Sequence, residues 1–221
     1  MSCAATVLFG LATGCRTASG GPAAAHCRDL KPPLVTREEW GSKPHPIPDS
    51  RRQTARWITL HHAGVPWTGK DPARFVRDMQ TWGQNRPKLE KPPMDTYWPD
   101  LPYHYLIAAD GRIFEGRDVR YEPESNTKYE LAGNIGVEMM GDFNVQPPTE
   151  AQLRSSVRVV AWLACEHGIA LDHVRGHRDA APGQTDCPGK GFTRFLEDGR
   201  FKRWVAESLS TVGKDSPILG P

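Results

Sequence analysis

Asp110-Gly111 lies between two short apolar runs, Tyr103 to Ala109 and Arg112 to Gly116, and no other feature limits the fold so sharply. An Asp-Gly pair flanked in this way signals a β-hairpin, because glycine supplies the positive φ that a tight antiparallel turn needs. Elsewhere strand and helix patterns alternate. Trp57-Ile58-Thr59-Leu60-His61-His62 is rich in β-branched and aromatic residues, the composition of a strand. Its period of two puts Trp57, Thr59 and His61 on one face and Ile58, Leu60 and His62 on the other. Ile135 to Met140 reads as a short apolar strand, with Glu138 on the face opposite Ile135, Val137 and Met139. A short strand around His173-Val174 leads into Gly176-His177-Arg178-Asp179. A hairpin set among alternating strands and helices makes the sheet mixed, so the expected class is α/β or α+β.

The helices carry their own punctuation. Asp71-Pro72 reads as an N-cap followed by proline at the first helical position, with Phe75, Val76, Met79 and Trp82 at helical spacing. Thr149 with Gln152 resembles a capping box. It opens a helix carrying Leu153, Val157, Val160, Ala161 and Ala164, closed by His167-Gly168. Phe201, Trp204, Val205 and Leu209 mark a last amphipathic helix. The stretch from Gly83 to Pro99 is proline-rich, basic and polar, and is expected to be a long surface loop. The 21 Gly and 20 Pro among 221 residues fit a loop-rich domain. A net charge of +2 removes the electrostatic case for a nucleic-acid partner.

The N-terminus reads as a separate object. Ala4 to Thr13 is apolar and uncharged, too short to span a bilayer, which takes about twenty residues, but suited to a secretory h-region. Leu11-Ala12-Thr13-Gly14-Cys15 resembles a bacterial lipobox, although the run lacks a basic n-region. The expected layout is a lipoprotein-type signal over 1–14, with Cys15 as the lipidated first residue. A flexible tether over 15–33, the folded domain over 34–212 and a tail over 213–221 complete it. Localisation is then export to the cell envelope, lipid-anchored and facing the periplasm.

Three clusters could carry chemistry: His61-His62 at a strand end, His177 in Gly-His-Arg-Asp, and Cys187 in Asp186-Cys187-Pro188-Gly189. Two histidines and a cysteine could supply three ligands to one zinc and leave a fourth position for water, the pattern of a catalytic site. On residue types alone the alternative stays open: each His on its own surface turn, and Cys187 a buried thiol.

Taken in order, the motifs resemble the type 2 N-acetylmuramoyl-L-alanine amidases, the family that includes peptidoglycan recognition proteins and phage lysozyme-amidases. The matching pieces are Arg37-Glu38-Glu39-Trp40-Gly41-Ser42-Lys43-Pro44, Ile58 to His62, and Tyr103-His104-Tyr105-Leu106-Ile107 running into Asp110 to Arg117. Asn134 to Glu138 with Gly141-Asp142-Phe143 follows, then Gly176-His177-Arg178-Asp179 through Cys187-Pro188-Gly189. The resemblance implies a central mixed β-sheet flanked by helices, with one zinc ion at the floor of a groove that holds peptidoglycan or a muropeptide. It makes His61, His177 and Cys187 the ligands, with Asp186 as fallback for the third, and leaves His62 outside the set. It assigns Glu138 as general base, Tyr103 as a phenol near the zinc and Thr185 as an oxyanion donor. His104 is either structural or substrate-binding.

Three departures stand out. Ala63 replaces the usual Thr or Ser. Arg120 to Gly133 has no histidine, so one groove contact is missing or comes from Asn126, Thr127 or Asn134. The Gly83 to Pro99 loop is longer than typical. Among the tryptophans, Trp82, Trp162 and Trp204 sit at helical core positions, whereas Trp67 and Trp98 lie in loops beside the groove as possible substrate contacts. No protein partner is expected. Two rival functions remain, a non-catalytic peptidoglycan-binding module and a metal-free cysteine peptidase using Cys187 and His177. Cys27 and Cys165 are left over, and a disulfide between them is permissible in an exported protein.

Overall fold

The computed structural model describes residues 27–69, 71–89 and 97–211. The signal segment, Cys15 and the tail over 213–221 lie outside them. A first helical turn (α1, residues 27–30) precedes α2 (Arg37–Trp40). The chain continues through β1 (Trp57–His62), α3 (Pro72–Leu89), β2 (Tyr105–Ile107), β3 (Ile113–Glu115), β4 (Asn134–Met139) and α4 (Glu150–His167). It ends with β5 (Val174–Gly176), α5 (His177–Ala180), α6 (Lys190–Glu197) and α7 (Arg200–Ser210).

The five strands form one sheet in the order β3-β2-β4-β1-β5. Only β2–β3 is antiparallel, and it is the hairpin that Asp110-Gly111 announces, with Gly111 at φ +89°. The other pairings are parallel, so the sheet is mixed, as the alternation implies. Both predicted caps are present. The Thr149 side chain accepts from the Gln152 N–H while Gln152 reaches back, and Gly168 closes α4 in the left-handed region. Asp71 Oδ1 accepts the Arg74 N–H at the start of α3.

The two sheet faces differ, and the difference places the site. Ile58, Leu60, Ile135, Val137, Met139 and Val174 point to one side, against Leu153, Val157 and Val160 of α4 and Phe201, Trp204 and Val205 of α7. On the other side a smaller cluster, including Trp40, Val76, Leu106 and Phe114, covers only the β2–β3 end. Over β4, β1 and β5 that face instead carries Asn134, Glu138, Thr59, His61 and Arg175, with Trp57 at its far end. His62 turns to the apolar side as its strand parity requires. It is buried there, and its Nδ1 accepts the Phe143 N–H at 3.0 Å.

Two expectations need correction. The segment after Gly83 is not loop at its start, because α3 runs on to Leu89; residues 90–96 are outside the described set. Gly83 is there for close approach rather than as a breaker. A Cβ at this position would lie 3.0 Å from the Trp98 ring, and the Trp98 N–H donates to the Gly83 carbonyl. Trp82 is 37% exposed rather than core, with its ring edge-on to Trp98. Trp162 and Trp204 are buried.

Cys27 and Cys165, 138 positions apart in the sequence, are joined by a disulfide with a Cα–Cα distance of 5.4 Å. Within the stretch expected to act as a tether, Cys27 is therefore tied to α4, and Leu30 is buried in the main core. Closing so long a loop restricts the unfolded chain. Reduction, or Cys27→Ser, is expected to lower unfolding free energy by about 2–5 kcal/mol, read from urea titrations with and without reductant. An unchanged midpoint would show that the bond adds nothing.

Candidate metal centre

Parallel register brings the first two histidines together. Leu60 pairs with Gly176 across β1 and β5, so His177, the next residue, comes beside His61. Their rings are 4.6 Å apart between centroids, and both are buried. Cys187 arrives on the loop before α6. Its Sγ lies 3.7 Å from His61 Nδ1 and accepts the His62 N–H at 3.4 Å. Its carbonyl accepts the Arg178 N–H, which ties that loop to α5. One ligand atom from each of His61, His177 and Cys187 lies within 4.8 Å of the others. Asp186 is exposed and stands outside this group.

Burial sets the protonation of all three. It pushes His61 well below the ordinary histidine range, lowers His177 to about 4 and raises the Cys187 thiol to about 12. Without a cation the cluster is thus two neutral imidazoles and a thiol. Neutral imidazoles are ready ligands, and a soft divalent ion would take the thiol as thiolate with release of its proton. This donor set, buried and converging, fits zinc.

Glu138 pairs with His61 in the β1–β4 register, so the two share one face of the sheet. The carboxyl group is fully buried, and neither oxygen has a hydrogen-bond partner among the described residues. Burial alone pushes its pKa far above the usual carboxylate range. Tyr103 lies over Gly136, whose missing side chain makes the room, since a Cβ there would come 3.3 Å from Tyr103 Cδ1. Its ring is 4.9 Å from that of His61. Burial, and then negative charge at Cys187 and Glu138, raises the phenol well above its ordinary pKa.

His61, His177, Cys187, Tyr103, Thr185 and Trp98 line one open cavity of about 350 Å³. The Thr185 hydroxyl accepts the Cys187 N–H at 3.1 Å. Ser125, Asn126 and Thr127 also line it. Thr127 Oγ1 is 2.6 Å and Ser125 Oγ 3.3 Å from His177 Nε2. Ser125 was not marked by any motif; it lies in a stretch that stands out in sequence only for lacking histidine.

Three expected contacts are placed elsewhere. His104 is 1% exposed, with Nδ1 accepting the Gly136 N–H at 2.9 Å and Nε2 bonded to the Tyr121 carbonyl at 2.8 Å. It holds the Tyr103 segment against β4. Asn134 is buried at the other end of β4, where its side chain accepts from Thr59 Oγ1 and donates to the Glu130 carbonyl. Trp67 packs edge-on against Phe75 in a separate cleft. Trp98 does reach the cavity lined by His61, His177 and Cys187, as a buried wall.

Comparison with known proteins adds a family. A family model described as N-acetylmuramoyl-L-alanine amidase matches residues 51–190. The chain is 26% identical over 169 residues to the pig N-acetylmuramoyl-L-alanine amidase, covering 75% of this chain and 27% of that protein. It is 24% identical to peptidoglycan-recognition protein LB of Drosophila melanogaster, covering 71% of this chain and 64% of that one. The chain thus spans about a quarter of the first relative and less than two thirds of the second. Among solved structures, human PGRP-IBETAC in complex with glycosamyl muramyl pentapeptide has a similar fold. The TM-score is 0.63 at 23% identity, over 76% of this chain and 96% of that one.

His104 gives the fold an acid limit. Burial lowers its pKa from 6.5 to about 4, so between these values the unfolded chain takes up a proton that the folded one refuses. Its share of stability is complete above pH 6.5 and is lost as pH falls through 4, about 3 kcal/mol in all. His104→Gln keeps an acceptor and a donor but cannot titrate. The stability gap between wild type and this variant is expected to narrow by about that amount from pH 7 to pH 4, measured by urea unfolding. A gap that stays constant with pH would refute the assignment.

Proposed function

The chain belongs to the N-acetylmuramoyl-L-alanine amidase family, and from that membership we propose that it is a zinc hydrolase. It cleaves the amide joining N-acetylmuramic acid to L-alanine in peptidoglycan or its soluble fragments. The single observation that carries the reading is the buried convergence of His61, His177 and Cys187 on one cavity, with an unpartnered carboxyl group in register beside it.

Zinc held by those three side chains would polarise the scissile carbonyl and bring the pKa of a bound water to about 7. The remaining roles fall to the protein. Neither Glu138 oxygen has a hydrogen bond among the described residues, so the pair can take the proton of the attacking water and return it to the leaving amine. Its burial favours proton uptake, as a base working near neutrality requires. Tyr103 stays protonated and donates its phenolic hydrogen toward the carbonyl oxygen as charge develops there. The Thr185 oxygen is already engaged by the Cys187 N–H, which leaves its hydrogen for the same oxyanion. The human relative in complex with glycosamyl muramyl pentapeptide supports a muropeptide-sized ligand.

A metal-free cysteine peptidase fits poorly. A thiol raised to about 12 beside imidazoles lowered by burial yields little thiolate near neutral pH. The Cys27–Cys165 disulfide supports export to an oxidising compartment, where peptidoglycan lies. A lipid anchor at Cys15 remains part of the proposal on the strength of the apolar run over 4–13.

Incubation with muropeptides and mass spectrometry tests the reading. Free stem peptide beginning with L-alanine is expected, abolished by chelation and restored by zinc. Metal-loaded protein that binds muropeptide without turnover would leave only a binding module, and chelator-resistant turnover would favour the cysteine enzyme. Glu138→Gln should retain zinc while kcat falls by about 10²–10⁴-fold; full activity would remove it as base. Cys187→Ala should lose both zinc and activity, measured by metal analysis of the purified protein.

A further inference from the structure

We propose that residues 125–129 are the outer holder of His177: the Thr127 hydroxyl, backed by Ser125, takes up Nε2 and so leaves Nδ1 as the ligating nitrogen. The inference rests on the zinc reading of the cluster. A nitrogen that binds a metal has no lone pair left for a hydrogen bond, and one that carries a proton cannot ligate. His177 Nε2 has Thr127 Oγ1 at 2.6 Å and Ser125 Oγ at 3.3 Å. Nε2 is therefore committed to the loop, and the cation falls to Nδ1. His61 also turns its Nδ1 toward Cys187 Sγ.

The hydroxyl pair is organised for this. The two oxygens are 2.9 Å apart, and the Thr127 N–H donates to Ser125 Oγ at 3.1 Å. Either hydroxyl can donate across that pair, and the proposed arrangement directs the Thr127 hydrogen at Ser125, so that the Thr127 oxygen accepts from His177 Nε2–H. That is the tautomer in which Nδ1 keeps its lone pair. Ligating histidines usually present their second nitrogen to a carboxylate, carbonyl or water; here a threonine hydroxyl has that position.

The segment is also fixed from outside the ring. The Lys128 N–H donates to Gln184 Oε1 at 2.8 Å, and Gln184 Nε2 donates to the Lys128 carbonyl at 2.9 Å. Gln184 is three residues before Cys187, so the same clamp joins the loop that holds His177 to the loop that supplies the thiol. Tyr129 closes the flank, its ring tilted against His177 at 5.4 Å. The stretch that lacks the family's histidine thus does the orienting with hydroxyls and a backbone clamp.

Two readouts test this apart from turnover. Long-range ¹H–¹⁵N spectra of the zinc-loaded wild type should show His177 protonated at Nε2, and need no variant. In competition with a chromogenic chelator, Thr127→Val should bind zinc about 10–100-fold more weakly, and Thr127→Ser should restore wild-type affinity. An Nδ1-protonated His177 in the loaded protein, or a folded Thr127→Val with undiminished zinc affinity, would overturn the proposal and leave the amidase reading standing. A wild type that shows the Nε2–H signature but releases no stem peptide would do the reverse.

Discussion

The site depends on the register of three parallel strands. β1 lies between β4 and β5, and its pairing sets His61 beside Glu138 on one side and beside His177 on the other. That register is held from the opposite face. Ile58, Leu60, Ile135, Val137 and Val174 must all reach the core under α4 and α7, and a slip of one residue would turn them outward. Hydrophobic burial on one side thus aligns the polar side chains on the other. No interaction among the site residues themselves is needed to bring their strands together.

This explains how the sheet can hold groups that stabilise the fold so little. Glu138 is buried without a hydrogen-bond partner among the described residues, and Cys187 and the two histidines are kept in neutral forms by desolvation. Buried polar groups without hydrogen bonds cost stability, and the core opposite offsets that cost. A cation held by His61, His177 and Cys187 would change the balance, because it would stabilise the thiolate and the carboxylate that burial otherwise disfavours. The burial that makes such a cluster costly is also what would suit its donors to a metal ion.

The parts legible in the sequence are those that follow from period and caps. Alternation along Trp57 to His62 separated His61, which reaches the cluster with His177 and Cys187, from His62, and alternation around Glu138 set it apart from its apolar neighbours. Asp110-Gly111 and Thr149 with Gln152 announced a hairpin and a helix start. What was not legible depended on contacts between distant segments. The stretch from Gly83 reads as loop until Trp98 is seen resting on a helix that runs through Gly83 to Leu89. His104 and Asn134 have the chemistry of substrate contacts, but their donors and acceptors are used up by backbone and side chains from other segments. The Cys27–Cys165 bond joins positions 138 residues apart, and spacing says nothing at that range. Ser125 became a site residue only through the path of an irregular loop.

How that loop is held is the last step. Residues 117–129 contain no strand or helix named in the fold, so their backbone groups and side chains need anchors of another kind. Arg117 supplies the first. Its side chain is wholly buried, and it donates to the carbonyls of Leu101 and Glu122 and to the Glu124 carboxylate. Arg51 pairs with the same carboxylate and with Glu122. A planar guanidinium with five donors can fix several strands of irregular backbone at once, which a lysine could not. Glu124 is the residue before Ser125, so this ion network delivers the hydroxyl pair to His177 from one end. Gln184 fixes it from the other through Lys128. Charged groups that contribute little net stability when buried here supply position. Register places His61, His177 and the Glu138 carboxyl group together, and a buried arginine sets the loop whose hydroxyls meet His177.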